Sequence, residues 1–206
     1  MPAKINTIIP VRSSELVRDR IAQILALELA NQAELMDDES IACPVYVERW
    51  IPVNVSECQT TSIVIVSIED LEKQNQTVID SDVMLTFSIQ VFTAREATDE
   101  NESDIESSLK NQRLAGIIDG ILSHQYYISN TLDFPKPFVM VMGVQSIKYG
   151  ISNREESAGL SVANITYNVK VAQNEAVATG LEWTETTVVQ KINDTNKGFK
   201  YIFSVD

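Results

Sequence analysis

The order of hydrophobic patterns predicts an α+β domain: an antiparallel or mixed sheet with two main helices packed on one face, plus a C-terminal β-hairpin arm. Two long stretches repeat apolar residues at helical spacing, and the other stretches alternate apolar and polar residues as strands do. The chain has 206 residues, 44% of them hydrophobic and 22% charged, which is typical of one globular domain. We therefore expect one α+β domain over residues 1–178 and a hairpin arm over residues 179–206.

The first predicted helix follows Ser14 and ends near Leu35. Its apolar residues recur at i, i+4, i+7 and i+8, which places them on one helix face. Those residues are Val17, Ile21, Ile24 and Leu25. Leu16, Leu27 and Leu29 widen this stripe, so we expect the helix to touch more than one neighbour.

A block rich in β-branched residues follows and predicts three strands. Apolar residues alternate over 45–55, although Pro52 lacks a backbone donor and indicates an edge strand or a bulge. Residues 62–68 indicate a buried strand, and the polar run 70–77 a loop. Residues 83–94 alternate over the longest predicted strand.

A second helix is predicted to begin at a capping box formed by Ser103 and Glu106. Its apolar face carries Leu114, Ile117, Ile118, Ile121 and Leu122. Gly116 and Gly120 each cost a helix about 1 kcal/mol relative to Ala. This cost favours the close approach of another backbone; the alternative is that the apolar face alone tolerates the glycines.

The next two predicted strands, 138–149 and 160–171, form a long hairpin with one buried and one solvated face. Their connection, 150–159, is bracketed by glycines and is longer than a tight turn needs. We expect this loop either to project from the domain or to be a simple solvated loop. The candidate residues are Asn153, Arg154, Glu155 and Glu156.

The segments 186–192 and 199–205 predict the terminal hairpin. An isolated two-stranded hairpin is marginally stable in water and exposes strand edges. We therefore expect it to dock on another chain, the alternative being that it folds back on its own sheet. The candidate intersubunit residues are Val188, Lys191, Phe199, Tyr201 and Phe203.

The sequence predicts no catalytic, cofactor-binding or metal-binding residues, and hence no enzyme. His124 is the one histidine and has no recognisable triad or zinc partners. Neither Cys43 nor Cys58 lies near a helix start or a basic cluster, so neither is expected to be an activated thiolate. Asp99–Asp104 resembles the start of a calcium loop but lacks its glycine and its final glutamate.

Charge and hydropathy exclude further classes. The chain carries 16 Lys and Arg against 29 Asp and Glu, a net charge of −13, which argues against gripping nucleic acid through phosphate contacts. No apolar stretch approaches the ~18 residues of a membrane-spanning helix, and no signal-peptide pattern begins the chain. We expect a protein of a reducing cytoplasm that has no membrane partner.

Three segments together resemble the tail terminator proteins of tailed bacteriophages, also called minor tail or tail completion proteins. These segments are the helix 14–29, the strand, loop and helix of 86–122, and the hairpin 147–169. The resemblance is one of pattern and order and covers about residues 13–171.

The resemblance implies a structural virion protein at the head-proximal end of the tail. Such a protein forms a homo-hexameric ring that caps the tail tube, ends its polymerisation and presents the tail to the head connector. The implied partners are further copies of the chain, the tail tube protein, the head connector or neck protein, and a sheath protein if the tail is contractile. DNA would pass through the ring without specific binding, which an acidic lumen favours. In such a ring the loop 150–159 would project toward the lumen or the tail tube, and the terminal hairpin would dock on an adjacent subunit or a tail protein. The resemblance also implies that the protein resides in the host cytoplasm during assembly.

Two alternatives remain open from the sequence. The chain is also compatible with a head-closure or neck protein of the head–tail junction. From another class, it is compatible with a small cytosolic α+β enzyme or a ligand-binding domain with an unrecognised site.

Overall fold

A five-stranded mixed sheet forms the framework of the computed structural model, which describes residues 12–74, 81–94, 102–134, 139–151, 160–173, 185–191 and 198–204. The helices are α1 (Ser13–Met36), α2 (Val55–Thr60), α3 (Glu102–Leu122) and α4 (Gln125–Ser129). The strands are β1 (Val45–Val47), β2 (Ile63–Gln74), β3 (Ser81–Thr93), β4 (Val139–Ile151), β5 (Ser161–Gln173), β6 (Glu185–Lys191) and β7 (Gly198–Ser204).

The sheet order is β1-β2-β3-β5-β4, and only β1 runs parallel to its neighbour. The central β3 pairs with β5 from Ser81 opposite Gln173 to Thr93 opposite Ser161. The predicted fold class, a mixed sheet with two main helices, is therefore confirmed.

The face of the sheet that α1 and α3 cover holds the main core. On β5 every second residue is buried there, as the alternation predicted: Ala163, Ile165, Tyr167, Val169 and Val171. Phe87 and Ile89 of β3 lie on the same face and are fully buried. Because both helices offer an apolar stripe to this face, burial of the alternating residues holds the two layers together.

The opposite face of the sheet is apolar at one end and polar elsewhere. A smaller core joins Cys58 of α2 to Ile63 and Ile65 of β2, with Phe92 and Val162 packed against it. Beyond this cluster, short uncharged side chains cover the centre of the face and bond to one another, as Ser88 does to Asn164 over 2.7 Å. The helices thus lie on both faces, although the two long ones share one.

The predicted strand over 45–55 is wrong in its second half, because β1 ends at Val47 and α2 begins at Val55. Glu48 has a left-handed backbone (φ 48°) that turns the chain away from the sheet, and Pro52 lacks the donor that a strand needs. The predicted loop over 70–77 is wrong at its start. There β2 continues to Gln74 by pairing with β3 after a bulge between Ile68 and Asp70.

The expectation of a backbone close to the glycines of α3 is also wrong within the described residues. The helix itself begins at Glu102, one residue before the predicted capping box of Ser103 and Glu106, and the capping contact stays a prediction. A Cβ atom built on Gly116 or Gly120 meets no atom within 4 Å, so among the described residues no backbone outside α3 packs against either glycine. Both glycines instead lie on the exposed side of the helix.

A buried polar cluster anchors α3 to the sheet. Asn111 donates from Nδ2 to the carbonyl oxygens of Val91 (2.9 Å) and Ser161 (3.1 Å). Thr93 donates to the carbonyl oxygen of Ser107 over 2.8 Å. One amide side chain thus ties the helix to both β3 and β5.

The chain divides into two compact units, of which one spans Arg12–Asn174 and the other contains the C-terminal hairpin. In that hairpin β6 pairs antiparallel with β7, with Val188 opposite Tyr201 and Lys191 opposite Gly198. The predicted two-strand arm is present as a hairpin, while its docking partner stays a prediction.

Candidate functional site

The loop Glu48–Pro52, which we call the Trp50 loop, follows β1 at the edge of the sheet and exposes two large apolar side chains. Trp50 is 89% exposed and Ile51 is 71% exposed. Single exposed apolar residues are common on protein surfaces, but an adjacent tryptophan and isoleucine at this exposure form a patch. Such residues are typical of a surface that a partner covers.

Glu48 fixes the start of the Trp50 loop. Its left-handed backbone is unfavourable for a residue other than glycine, and it persists because neighbouring groups hold it. The Glu48 N–H donates to the carbonyl oxygen of Val66 over 3.0 Å, and its Oε1 accepts from the N–H of Ile68 over 2.8 Å. Arg18 of α1 lies 3.5 Å from the same carboxylate oxygen.

Arg49 braces the middle of the Trp50 loop. Its guanidinium lies 5.1 Å from the ring centre of Tyr46 and forms an ion pair of 2.6 Å with Glu57 of α2. Its Nε also donates to the carbonyl oxygen of Ile51 over 3.3 Å. These contacts hold the backbone on both sides of Trp50 and leave the Trp50 side chain exposed.

A groove of about 500 Å³ lies between α1, α3 and α4, and we call it the helix groove. Its apolar lining comes from Met36, Ile117, Gly120 and Ile121. Its polar and aromatic lining comes from Glu28, Asn31, Gln32, His124, Tyr126 and Tyr127. This mixture of an apolar floor and a few polar groups is characteristic of sites that receive another molecule.

Hydrogen bonds order the wall of the helix groove. The Tyr127 hydroxyl donates to the Glu28 carboxylate, and the Tyr126 and Tyr127 rings meet edge to face with centres 5.2 Å apart. Burial, together with the bond to Glu28, raises the pKa of Tyr127. His124 accepts the N–H of Tyr126 at Nδ1 over 3.2 Å, so this imidazole caps the N-terminus of α4.

The cysteine thiols and the Asp82 carboxylate are held in contacts that stabilise the fold. Burial raises the pKa of the Cys43 thiol to about 12 and that of the Cys58 thiol to about 11, so both stay protonated near neutral pH. Asp82 forms an ion pair with Lys170 over 2.6 Å. Within the described ranges no group of three His, Cys, Asp or Glu could hold a metal ion, and no helix has the length and hydropathy to cross a bilayer.

The site residues that the sequence predicted fall in two segments of the chain. Asn153, Arg154, Glu155 and Glu156 lie outside the described residues, in the connection between β4 and β5. Val188 and Lys191 belong to β6, and Phe199, Tyr201 and Phe203 take alternate positions in β7. Sequence reasoning missed the Trp50 loop, although Trp50 and Ile51 beside a strand-breaking Pro52 are a signal of apolar residues outside a regular element.

Comparison with known proteins gives a fold and no family. No protein-family model matches the chain, and no curated protein matches it. A chain of a solved structure described as the virion of a native gene transfer agent particle shares the fold, with a TM-score of 0.51 and 13% sequence identity. The match covers 79% of this chain and 100% of the other.

Proposed function

We propose that this protein is a structural virion protein of a phage-like particle. The observation that carries the proposal is the shared fold, because the match spans the full length of a virion chain and most of this one. The described residues support it chemically. Cys58 is buried and Cys43 is half-buried, the single histidine caps a helix, and Trp50, the most exposed large apolar residue among them, lies on a braced loop.

Within that class we propose a tail terminator: a hexameric ring that caps the tail tube, ends its polymerisation and faces the head connector. The pattern resemblance over residues 13–171 supports this role. The tube protein, the connector and, in a contractile tail, the sheath protein are its proposed partners. A net charge of −13 favours passage of DNA without binding, because like charges repel.

Two segments are proposed to act at the ring's contacts. The connection between β4 and β5, with Glu155 and Glu156, would add negative charge to the lumen or face the tube. The hairpin of β6 and β7 would dock on an adjacent subunit or on a tail protein, since two strands alone are marginally stable.

The test uses the full chain and a version that ends at Thr179. Sedimentation velocity and negative-stain images of the full chain should show rings, and adding it to purified, growing tail tubes should stop elongation. The truncated chain should melt cooperatively but form weaker rings or fail to attach to tails. Rings that leave tube growth unchanged but join heads to connectors would support a neck protein instead.

A different result would contradict the structural proposal. The full chain could stay monomeric at high concentration and in the presence of tails, while a metabolite raises its melting temperature. The protein would then be a ligand-binding domain or an enzyme. If the truncated chain cannot fold, the hairpin belongs to its own sheet and is no arm.

A further inference from the structure

The Trp50 loop and the helix groove are two unlike surfaces of the same compact unit, and one has the shape and chemistry to receive the other. We infer that Trp50 of one subunit inserts into the helix groove of the next copy of the chain. This inference rests on the proposed ring and names the contact that builds it.

The two surfaces share no residue and lie on different parts of the fold. The Trp50 loop follows the edge strand β1 and is braced by α2, whereas the groove is walled by α1, α3 and α4. A contact between two unlike patches of identical chains is head-to-tail, and it forms a ring where the rotation between copies closes. Such a ring needs two complementary patches on each subunit, and an exposed indole and an open groove meet that need.

The groove suits an indole in size and polarity. Its volume of about 500 Å³ falls in the range of about 300–1,000 Å³ that holds organic ligands. Gly120 has no side chain and leaves the floor open, between the apolar side chains of Ile117 and Ile121. A flat ring can therefore lie against α3 at this point.

The polar groups of the two surfaces are complementary as well. The indole N–H of Trp50 is a donor on an 89% exposed side chain. Glu28 in the groove is a carboxylate acceptor, and the Tyr127 hydroxyl that donates to it fixes its position. A hydrogen bond from an indole to a carboxylate is strengthened by the charge of the acceptor.

A second copy fits these observations better than an unrelated protein, because a ring subunit must carry both halves of its own interface. Arg49 already ties the Trp50 loop to Tyr46 and Glu57, so docking has less backbone freedom to remove from this loop. Buried tryptophans at the centre of an interface are also among the largest contributors to binding.

Two substitutions test the contact from its two sides. Trp50→Ala removes the protruding ring, and Gly120→Leu fills the groove floor. Both should fold, because Trp50 is exposed and because a Cβ at Gly120 meets no atom within 4 Å among the described residues. Each should weaken self-association roughly 30-fold or more in sedimentation velocity.

Matched controls use the same chemistry away from the contact. Gly116→Leu places the same side chain one turn earlier on α3, at a glycine that is equally open and outside the groove lining. Tyr149→Ala removes a 52% exposed aromatic ring from β4. Both controls should form rings as the parent chain does.

Mixing the two defective variants gives the sharpest outcome. The Gly120→Leu chain keeps its Trp50, and the Trp50→Ala chain keeps an open groove, so the mixture should form mixed dimers that extend no further.

Rings of normal stability from both single variants, together with parent rings, would overturn the inference and leave the proposed function standing. Loss of tail attachment with intact rings would assign the Trp50 loop to a tail protein and would also overturn it. A parent chain that never forms rings would contradict the proposed function itself.

Discussion

Phe87 and Trp50 are both large aromatic residues next to or within the same sheet, yet the fold treats them in opposite ways. Phe87 of β3 is fully buried against the helices, whereas Trp50 is 89% exposed beyond β1. Phe87 occupies a regular alternating position, so its burial follows from strand geometry. Trp50 lies on a loop whose backbone is turned outward at Glu48. Apolar residues in periodic positions therefore specify the fold, and apolar residues on a braced turn are available to a partner.

The bracing of the Trp50 loop differs from the packing of the core in its energetics. A left-handed residue other than glycine costs on the order of 1 kcal/mol or more. At Glu48 that cost is offset by the bonds to Val66 and Ile68, each worth about 1 kcal/mol. The Trp50 loop therefore adds little to the free energy of unfolding of the isolated subunit. This is consistent with a surface that is stabilised when a partner binds.

The largest loss of stability is expected from removing the buried Phe87 ring. Phe87→Ala should lower the free energy of unfolding by about 3–5 kcal/mol, because it removes a fully buried ring and leaves a cavity. Urea denaturation followed by circular dichroism measures this loss. A loss below about 1 kcal/mol would show that the helices do not pack on this face as described.

A smaller effect is expected where a polar group joins the layers. Asn111→Leu should cost about 1–3 kcal/mol, since the carbonyl oxygens of Val91 and Ser161 lose their amide donor in a buried site. Thermal unfolding measures the change. The exposed neighbour Gln112→Ala is the control and should stay within about 0.5 kcal/mol of the parent. An equal effect of both substitutions would contradict the anchoring role of Asn111.

The smallest change in stability is expected from removing the exposed Trp50 ring. Trp50→Ala should leave the unfolding free energy of the monomeric subunit within about 0.5 kcal/mol of the parent, because the side chain packs on little of its own chain. Measurement at a concentration below ring formation separates folding from association. A loss of 2 kcal/mol or more would mean that Trp50 belongs to the core of its own subunit.

The elements that the sequence predicts well are those with a local periodic signal. The apolar faces of α1 and α3 and the alternation of β5 depend on residues close in sequence, so pattern alone locates them. The ends of β2 are set by its pairing with β3. That pairing extends the strand over polar residues such as Glu72 and Lys73, which the sequence alone favours as a loop.

The candidate site was much less predictable, for a related reason. The Trp50 loop depends on the hydrogen bond between Glu48 and Ile68 and on the ion pair between Arg49 and Glu57. Neither contact can be predicted from the periodicity of the sequence. The helix groove likewise appears only when α1, α3 and α4 come together. Gly120 was noticed in the sequence as a cost to the helix, but its open side could be recognised only in three dimensions.

The pairing of β3 with β5 has a consequence for how the chain folds during its synthesis on the ribosome. The strand at the middle of the sheet finds its second partner only after α3, α4 and β4 have been synthesised, because β5 comes last in this unit. Until then the nascent chain carries an open, apolar strand edge, a state prone to aggregation. Premature termination between residues 94 and 160 should therefore yield insoluble fragments, and the distant pairing should make refolding slow for a chain of this size.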